Sequence, residues 1–453
     1  MVEINRNTIT APAAEQVTRR WLSVVGIGED GVAGLSELAR SLIQSAETVF
    51  GGVRHLTLAA PLIRGTARAW SNPLDRSVAD IIEQRGRPVC VLASGDPFQY
   101  GIGSLLARHI APDETLAIPA LSAFSLAASR LLWPLQEITR WPSTEGTEVV
   151  EPGLAPCPGT SLLSLCGRPI DLIRPSLQPG ARILALTSGA SAPAAIAALL
   201  CTSGFGGSRM TVLESIGGPH ERLRSTTAAT FVLNDVGPLN TVAIEIVPDS
   251  TARILPRTSG LADEMFEHDG QITKREIRAL TLSALAPRRG EHLWDVGAGS
   301  GSVAIEWMLA DPSLTAVAIE RRVDRAARIK RNSAALGVPD LQVLEGDAPH
   351  VLDSGLQTPN AVFIGGGATT TGVIDASQGA LRSGGRLVVN AVTLDTEAVL
   401  LQVYAQHGGT LTRIEIQRAA PIGGRRHAEA DEDSPLTSWR PARPITQWVW
   451  VKP

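Results

Sequence analysis

Short apolar runs that stop at glycine- or proline-rich turns alternate along the chain with stretches whose apolar residues recur every three or four positions. In the first half this pattern predicts strands at residues 21–25, 89–93, 115–119, 182–186, 209–214, 229–233 and 241–246, the last of them antiparallel. Helices are predicted at 36–46, with Ser36 as N-cap, at 122–132 and at 192–200, with a further helix start near Gly103. In the second half a helix at 274–283 opens on Thr273 and Glu276, spaced as a capping box. Strands follow at 291–296, 315–319, 341–344, 361–364 and 386–391, and a closing pair at 411–417 and 446–451. Helix 303–309 follows the first of these strands. Strand and helix at this rhythm mean α/β layers. The second half reads as a Rossmann-like sheet of five parallel strands ended by an antiparallel pair. Residues 1–20 are polar and read as a disordered leader, residues 141–159 as a proline-rich inserted loop, and residues 251–262 as a linker between domains at 21–250 and 263–453.

A length of 453 residues exceeds what one core organises, and 44% apolar residues are enough to bury two. Only 19% of residues are charged and the net charge is -4, so composition gives no footing to a nucleic-acid partner, which calls for a basic face. Cys90, Cys157, Cys166 and Cys201 stand in no metal-ligand spacing and are too few for a disulfide framework, which fits reduced thiols in the cytoplasm. The eight histidines form no ligand pair at helical spacing, and no metal is expected. No apolar stretch approaches the roughly twenty residues of a membrane span, so no membrane association is expected.

The chemistry concentrates at strand ends. The strand at 291–296 runs into Gly297-Ala298-Gly299-Ser300-Gly301, where a side chain on the glycines would fill the space in which a cofactor meets the backbone. A nicotinamide or flavin fingerprint would put its third glycine at 302, but the residue is Ser302, and this spacing favours S-adenosylmethionine. The next strand ends at Glu320, whose carboxylate can accept both ribose hydroxyl protons. The one after it ends at Glu345-Gly346-Asp347-Ala348, where Asp347 can take the adenine amino group and Ala348 leaves room for the ring. In the first half the strand at 89–93 runs into Ser94-Gly95-Asp96-Pro97, which offers backbone donors and a short acid at one turn. A tight turn in which Asp96 caps a helix accounts for the same residues.

These motifs together resemble the fused precorrin-6Y C5,15-methyltransferase (decarboxylating) family of cobalamin synthesis, a tetrapyrrole-methylase domain followed by a class I methyltransferase domain. The second half carries Gln271-Ile-Thr-Lys-Arg-Glu276, Trp294-Asp-Val-Gly-Ala-Gly-Ser-Gly301, Glu345-Gly-Asp-Ala-Pro349, Val362-Phe-Ile-Gly-Gly366 and Leu387-Val-Val-Asn-Ala-Val-Thr393 in the family's order. The first half is similar through Val24-Val-Gly-Ile-Gly-Glu-Asp-Gly31, Ala93-Ser-Gly-Asp-Pro-Phe-Gln-Tyr-Gly101 and Ser122-Ala123. It departs from the wider family in having Gly28-Glu-Asp-Gly31 for Gly-Pro-Gly, and Cys166 where related proteins often have His. The resemblance implies a two-lobed first domain and two S-adenosylmethionine sites. One is lined by Ser94, Gly95, Asp96, Gln99, Ser122 and Ala123, the other by Thr273, the 297–301 turn, Glu320 and Ala348. It further implies a tetrapyrrole substrate, two C-methylations, loss of an acetate carboxyl group, and homo-oligomers. An electron-rich ring carbon is its own nucleophile, so the protein mainly has to position it, and no catalytic dyad is required. Residues 365–367 are glycines where a nucleic-acid amino methyltransferase would have Asn or Asp with Pro-Pro and an aromatic, and they admit a flat macrocycle. Substrate carboxylates call for cations, for which Lys274, Arg275, Arg425 and Arg426 are candidates, and His350 and His427 could serve as proton donors, although a lone His is more often only satisfied or exposed. Two other readings stay open on sequence alone: a class I methyltransferase for RNA or protein, and a protein that binds S-adenosylmethionine without transferring its methyl group.

Overall fold

The computed structural model describes residues 20–136, 159–421 and 437–453. Residues 1–19 of the leader, nearly all of the 141–159 insertion, Cys157, and Arg425, Arg426 and His427 with the acidic run after them lie outside the described residues. Contacts separate the chain into two units, Met1–Ile170 with Gln178–Arg253, and Asp171–Leu177 with Ile254–Pro453.

The first unit opens with β1 (Leu22–Ile27), α1 (Glu37–Ser45), β2 (Thr48–Gly51), α2 (Val53–Ala59), β3 (Thr66–Ala69), α3 (Leu74–Ile82), β4 (Val89–Ser94), α4 (Gly103–Leu106) and β5 (Thr115–Ile118). All five strands are parallel in the order β3-β2-β4-β1-β5. β1 and β4 occupy the middle of this sheet, which is why they read as near-continuous apolar runs. Ser36 caps α1 as expected, its Oγ accepting the Ala39 N–H at 3.2 Å. A second sheet follows from α5 (Ala123–Leu131), β6 (Thr160–Ser164), β7 (Arg182–Leu186), α6 (Ala192–Thr202), β8 (Arg209–Glu214), β9 (Arg222–Thr227) and β10 (Asn240–Glu245), in the order β6-β7-β10-β8-β9. β10 runs antiparallel to both β7 and β8. The strand expected at 229–233 does not form. Its place as partner of β8 is taken by β9, an Arg-Leu-Arg-Ser-Thr-Thr strand at the sheet edge, and the Thr226 and Thr227 hydroxyls turn the chain through bonds to Thr230. A strand with open edge and one wet face carries little apolar signal.

The second unit contains α7 (Arg275–Leu285), β11 (His292–Val296), α8 (Ser302–Ala310), β12 (Thr315–Glu320), α9 (Val323–Ala335), β13 (Gln342–Glu345), β14 (Ala361–Ile364), α10 (Val373–Ala380), β15 (Arg386–Ala391), α11 (Leu394–His407) and β16 (Thr410–Ile414). It ends with β17 (Gln417–Pro421), β18 (Thr437–Pro441) and β19 (Ile445–Val451). The seven-stranded sheet has the order β13-β12-β11-β14-β15-β19-β16, with β13 to β15 parallel and β19 antiparallel to both neighbours. Each face of this sheet is covered by its own core, one built around Trp307 and the other around Trp448. The expected closing pair is β16 and β19, but the connection between them is not all loop: β17 and β18 form a separate two-stranded ribbon. The Thr273–Glu276 capping box is not made. α7 starts one residue later with Lys274 as N-cap, and Glu276 is drawn instead to Arg418 at 2.5 Å.

A buried ion pair joins α7 to α8. Arg278 Nε and Glu306 Oε1 are 2.5 Å apart, Glu306 accepts the N–H groups of Gly260 and Leu261, and Arg278 donates to the carbonyls of Leu261 and Thr273. This network fixes the path of the segment that carries Thr273 onto α7.

Candidate functional site

In a doubly wound sheet the crevice lies beyond the carboxyl ends of the strands, where successive connections leave in opposite directions. A cleft of about 640 Å³ lies there in the second unit, reached by the ends of β11, β12, β13, β14 and β15. β11 ends in Gly297, Gly299 and Gly301, all with positive φ of 62° to 76°. A Cβ on Gly297 would stand 2.7 Å from the Gly366 carbonyl oxygen, so two strand-end loops meet there at backbone distance. On Gly299 the nearest atom would be the Gln271 carbonyl oxygen at 3.5 Å, leaving this residue open to the cleft.

Glu320 closes the turn from the next strand. Its carboxylate accepts the Gly299 N–H at 2.8 Å and the Arg322 N–H at 3.0 Å, which holds it at the cleft wall. Thr273, Gly297, Ala298, Gly299, Asp347 and Ala348 line the same cleft. Ser300 and Gly301 do not. Ser300 is turned inward and buried, and Gly301 forms the N-terminal end of α8 against Ile329. The alternating left-handed glycines reverse the chain between these residues, so neighbours in sequence face opposite ways.

Behind the turn stands Asp295, fully enclosed in β11. One carboxylate oxygen accepts the Ala304 N–H at 3.0 Å and the other has no hydrogen-bond partner. Burial, with a smaller push from the Glu320 charge, raises its pKa to about 7. Next in sequence to the cleft-lining Gly270, Asp269 sits well below the usual carboxylate range. Burial pushes it up, but the Gln271 N–H and the side chains of Arg325 and Arg328 outweigh that.

Beyond the glycine turns the cleft continues along Gly365, Gly366, Asn390, Ile414, Ile416 and Ile445. Asn390 donates to Thr281 Oγ1 at 2.9 Å and accepts from Gln447 Nε2 at 2.9 Å, a buried polar row across three elements. Asn390 was visible in the sequence as a polar residue directly after the apolar Leu387-Val-Val389 run of its strand, which is a signal in itself. Of the cations expected to meet substrate, Lys274 lines the cleft and pairs with Asp263 at 3.2 Å, whereas Arg275 is not among the lining residues. Arg321, Arg325, Arg418 and Arg443 line it without having been singled out from the sequence, since only the tertiary fold brings them there.

In the first unit the strand ends of β1 and β4 come together with the loop before α5. A Cβ on Gly26 would overlap the Gly95 carbonyl oxygen, and one on Gly95 would stand 2.9 Å from Ser122 Cα. Gly95 and Ser122 are therefore neighbours. Asp96 Oδ1 accepts the Phe98 N–H at 2.8 Å and the Asp96 carbonyl accepts the Gln99 N–H at 3.2 Å. Asp96 thus does shape a tight turn. Ser122 caps α5 through the Ser125 N–H at 3.2 Å, with Ala123 as the helix's first residue. Ser94 Oγ accepts from Arg54 at 3.1 Å, and Arg54 is ion-paired with Glu29. His55 beside it is lowered to about 4 by burial and by the Arg54 charge.

A precorrin methyltransferase domain model matches residues 264–452, and a model of tetrapyrrole (corrin/porphyrin) methylases matches residues 22–232. Both units thus fall among methyltransferases of the tetrapyrrole type. A Sinorhizobium protein named precorrin-6Y C(5,15)-methyltransferase (decarboxylating) is 55% identical over 432 residues, covering 95% of this chain and 96% of that protein. A Mycobacterium tuberculosis protein of the same name is 40% identical over 432 residues, covering 95% of this chain and 99% of its own length. A Salmonella typhimurium protein named cobalt-precorrin-6B C(15)-methyltransferase (decarboxylating) is 34% identical over 169 residues, 36% of this chain and 86% of that one. The chain belongs to the precorrin-6Y C(5,15)-methyltransferase (decarboxylating) family. It is a methyltransferase, and no helix among the described residues is long and apolar enough to cross a membrane.

Proposed function

We propose that this enzyme methylates a precorrin at C5 and C15 with S-adenosylmethionine as donor and removes an acetate carboxyl group, giving precorrin-8X in cobalamin biosynthesis. The observation that carries this reading is the cleft of the second unit, whose glycine turn is closed by a fixed carboxylate at Glu320 and which continues past Gly366 to Asn390, Ile414, Ile416 and Ile445, the part we assign to the acceptor. The residues fit the donor. Gly299 leaves space that a Cβ would enter, and Glu320 keeps carboxylate lone pairs for a diol beyond the two backbone N–H groups it accepts. Asp347 and Ala348 stand at the next strand end for the base, and Thr273 lines the same cleft. We assign a second donor site to Ser94, Gly95, Asp96, Gln99, Ser122 and Ala123 in the first unit.

When bound, S-adenosylmethionine supplies an electrophilic methyl group on a sulfonium. The protein's part is to orient an acceptor carbon in line with it and to keep water out, which the apolar walls at Ile414, Ile416 and Ile445 serve. Loss of carbon dioxide breaks the bond to the acetate methylene, sends the electron pair into the conjugated ring, and ends with uptake of a proton. The macrocycle is the electron sink for this step. We assign the decarboxylation and the C15 methylation to the second unit, the C5 methylation to the first, and a cytoplasmic homo-oligomer as the working form. Incubating the full chain with a reduced, metal-free precorrin and labelled S-adenosylmethionine should add two methyl groups and remove one carbon dioxide by mass spectrometry. An unchanged substrate mass would overturn the proposal.

A further inference from the structure

The acceptor compartment raises a question of charge. A precorrin carries acetate and propionate side chains around a flat ring. A cleft of about 640 Å³ lies within the ~300–1,000 Å³ typical for one bound small molecule. It does not enclose a cofactor and a whole tetrapyrrole together, so the ring's carboxylates must rest at the mouth.

Among the described residues five cations line the cleft, and four are already matched. Lys274 pairs with Asp263 at 3.2 Å, Arg321 with Asp347 at 3.7 Å, Arg325 with Asp269 at 2.9 Å, and Arg418 with Glu276 at 2.5 Å. Arg443 has no carboxylate partner among the described residues and is exposed. It directly follows the β17–β18 ribbon, in which Arg418 stands opposite Arg440 in register. The Ala442 N–H donates to the Ile416 carbonyl at 2.8 Å, so the pairing continues one step beyond β18. By the two-residue alternation of strands, Ile416, Ala442, Arg418 and Arg440 share one face; the first three line the cleft, and Arg440 is the neighbour of Arg418 and Ala442 on that face. Arg440, too, has no carboxylate partner among the described residues.

Like charges directly opposite each other on paired strands destabilise the pairing. Here Arg418 and Arg443 line the cleft, Arg440 stands opposite Arg418 on the ribbon, and among the described residues Glu276 is the one carboxylate paired with any of the three. Sheet order decides which compartment this is. The turn residues fitted to the donor leave β11, β12 and β13, whereas the ribbon lies between β16 and β19 in sequence, on the other half of the sheet.

We infer that Arg440 and Arg443 determine specificity for the acceptor by binding carboxylate side chains on the periphery of the tetrapyrrole, with Arg418 anchoring their ribbon to α7 through Glu276. This rests on the functional reading above. Guanidinium forks suit carboxylates because two parallel N–H donors meet two oxygens.

The test uses the full chain with a reduced, metal-free precorrin, following carbon dioxide release. R440Q and R443Q should each raise KM for the precorrin about tenfold, as loss of a charged hydrogen bond implies, with the change falling on KM rather than kcat. The double variant should rise further and lose the parent's sensitivity of KM to salt. R443K should recover part of the loss. Calorimetric affinity for S-adenosylmethionine and the melting temperature should match the parent. A double variant with parental KM overturns the inference, as does one whose KM rises only together with lost cofactor affinity or stability. A parent that releases no carbon dioxide overturns the functional reading itself, and this inference with it.

Discussion

Asp295 is held in the middle of a parallel sheet with one oxygen unpaired, a placement that costs free energy whenever the group is ionised. Its folded pKa of about 7 lies above the ordinary 3.8, so the fold favours the protonated form. Stability linked to this group is intact below about pH 4, falls as pH rises toward 7, and is constant above that. Asp295→Asn keeps an acceptor for the Ala304 N–H and cannot ionise. Its melting temperature should therefore drop less than the parent's between pH 4 and pH 8, and parallel melting curves would show that Asp295 does not titrate in this range. Glu320 is a carboxylate held by two N–H groups at a wall of the cleft. Glu320→Gln should weaken S-adenosylmethionine binding about tenfold by calorimetry, a loss of 1.4 kcal/mol. At this scale the sequence was informative about Glu320, because a strand end and its spacing from a glycine turn are local properties. It was silent on Ser300, which sits within the same turn yet faces inward, since the facing of each residue depends on dihedrals that glycine leaves free.

Elements buried on both faces were legible as apolar runs, and β1, β4, β11, β12, β14 and β15 all fall within a residue or two of expectation. β9 and the β17–β18 ribbon were not, because strands with wet faces are specified by their partners rather than by their own composition. The failed capping box has a similar cause. Thr273 and Glu276 have the right spacing, but Arg278 takes the Thr273 carbonyl and Arg418 takes Glu276, so tertiary charges outcompete the local cap. The Arg278–Glu306 pair is the element-scale contact with the largest expected effect. Glu306→Ala would strip two N–H groups and a buried guanidinium of their acceptor. A loss of about 3–5 kcal/mol in urea unfolding is expected, with weaker cofactor binding as the Thr273 segment loosens. A loss below about 1 kcal/mol would mean that water or another group replaces the carboxylate.

For the whole molecule, the proposed pair of donor sites predicts a stoichiometry. Calorimetry on the full chain should return two S-adenosylmethionine molecules per chain, and Asp96→Ala, which removes the acceptor for the Phe98 N–H, should reduce this to one. Binding that stays at two would remove Asp96 from the first site. The sequence divided the chain once, in the linker we propose at 251–262, while the contacts also group Asp171–Leu177 with the second unit. Such a discontinuity has no local signature, because it belongs to the path of the chain and not to any segment's composition. The position of β19 has a consequence in time. It lies between β15 and β16, both of which precede it in the sequence. A growing chain therefore emerges with a gap in this sheet that only its last-made strand fills. Until then β15 and β16 have no strand between them, and the cleft lacks Ile445. The first unit has all of its described strands by Glu245, some two hundred residues before Val451 in synthesis, so one methyltransferase domain can be finished on the ribosome while the other still waits.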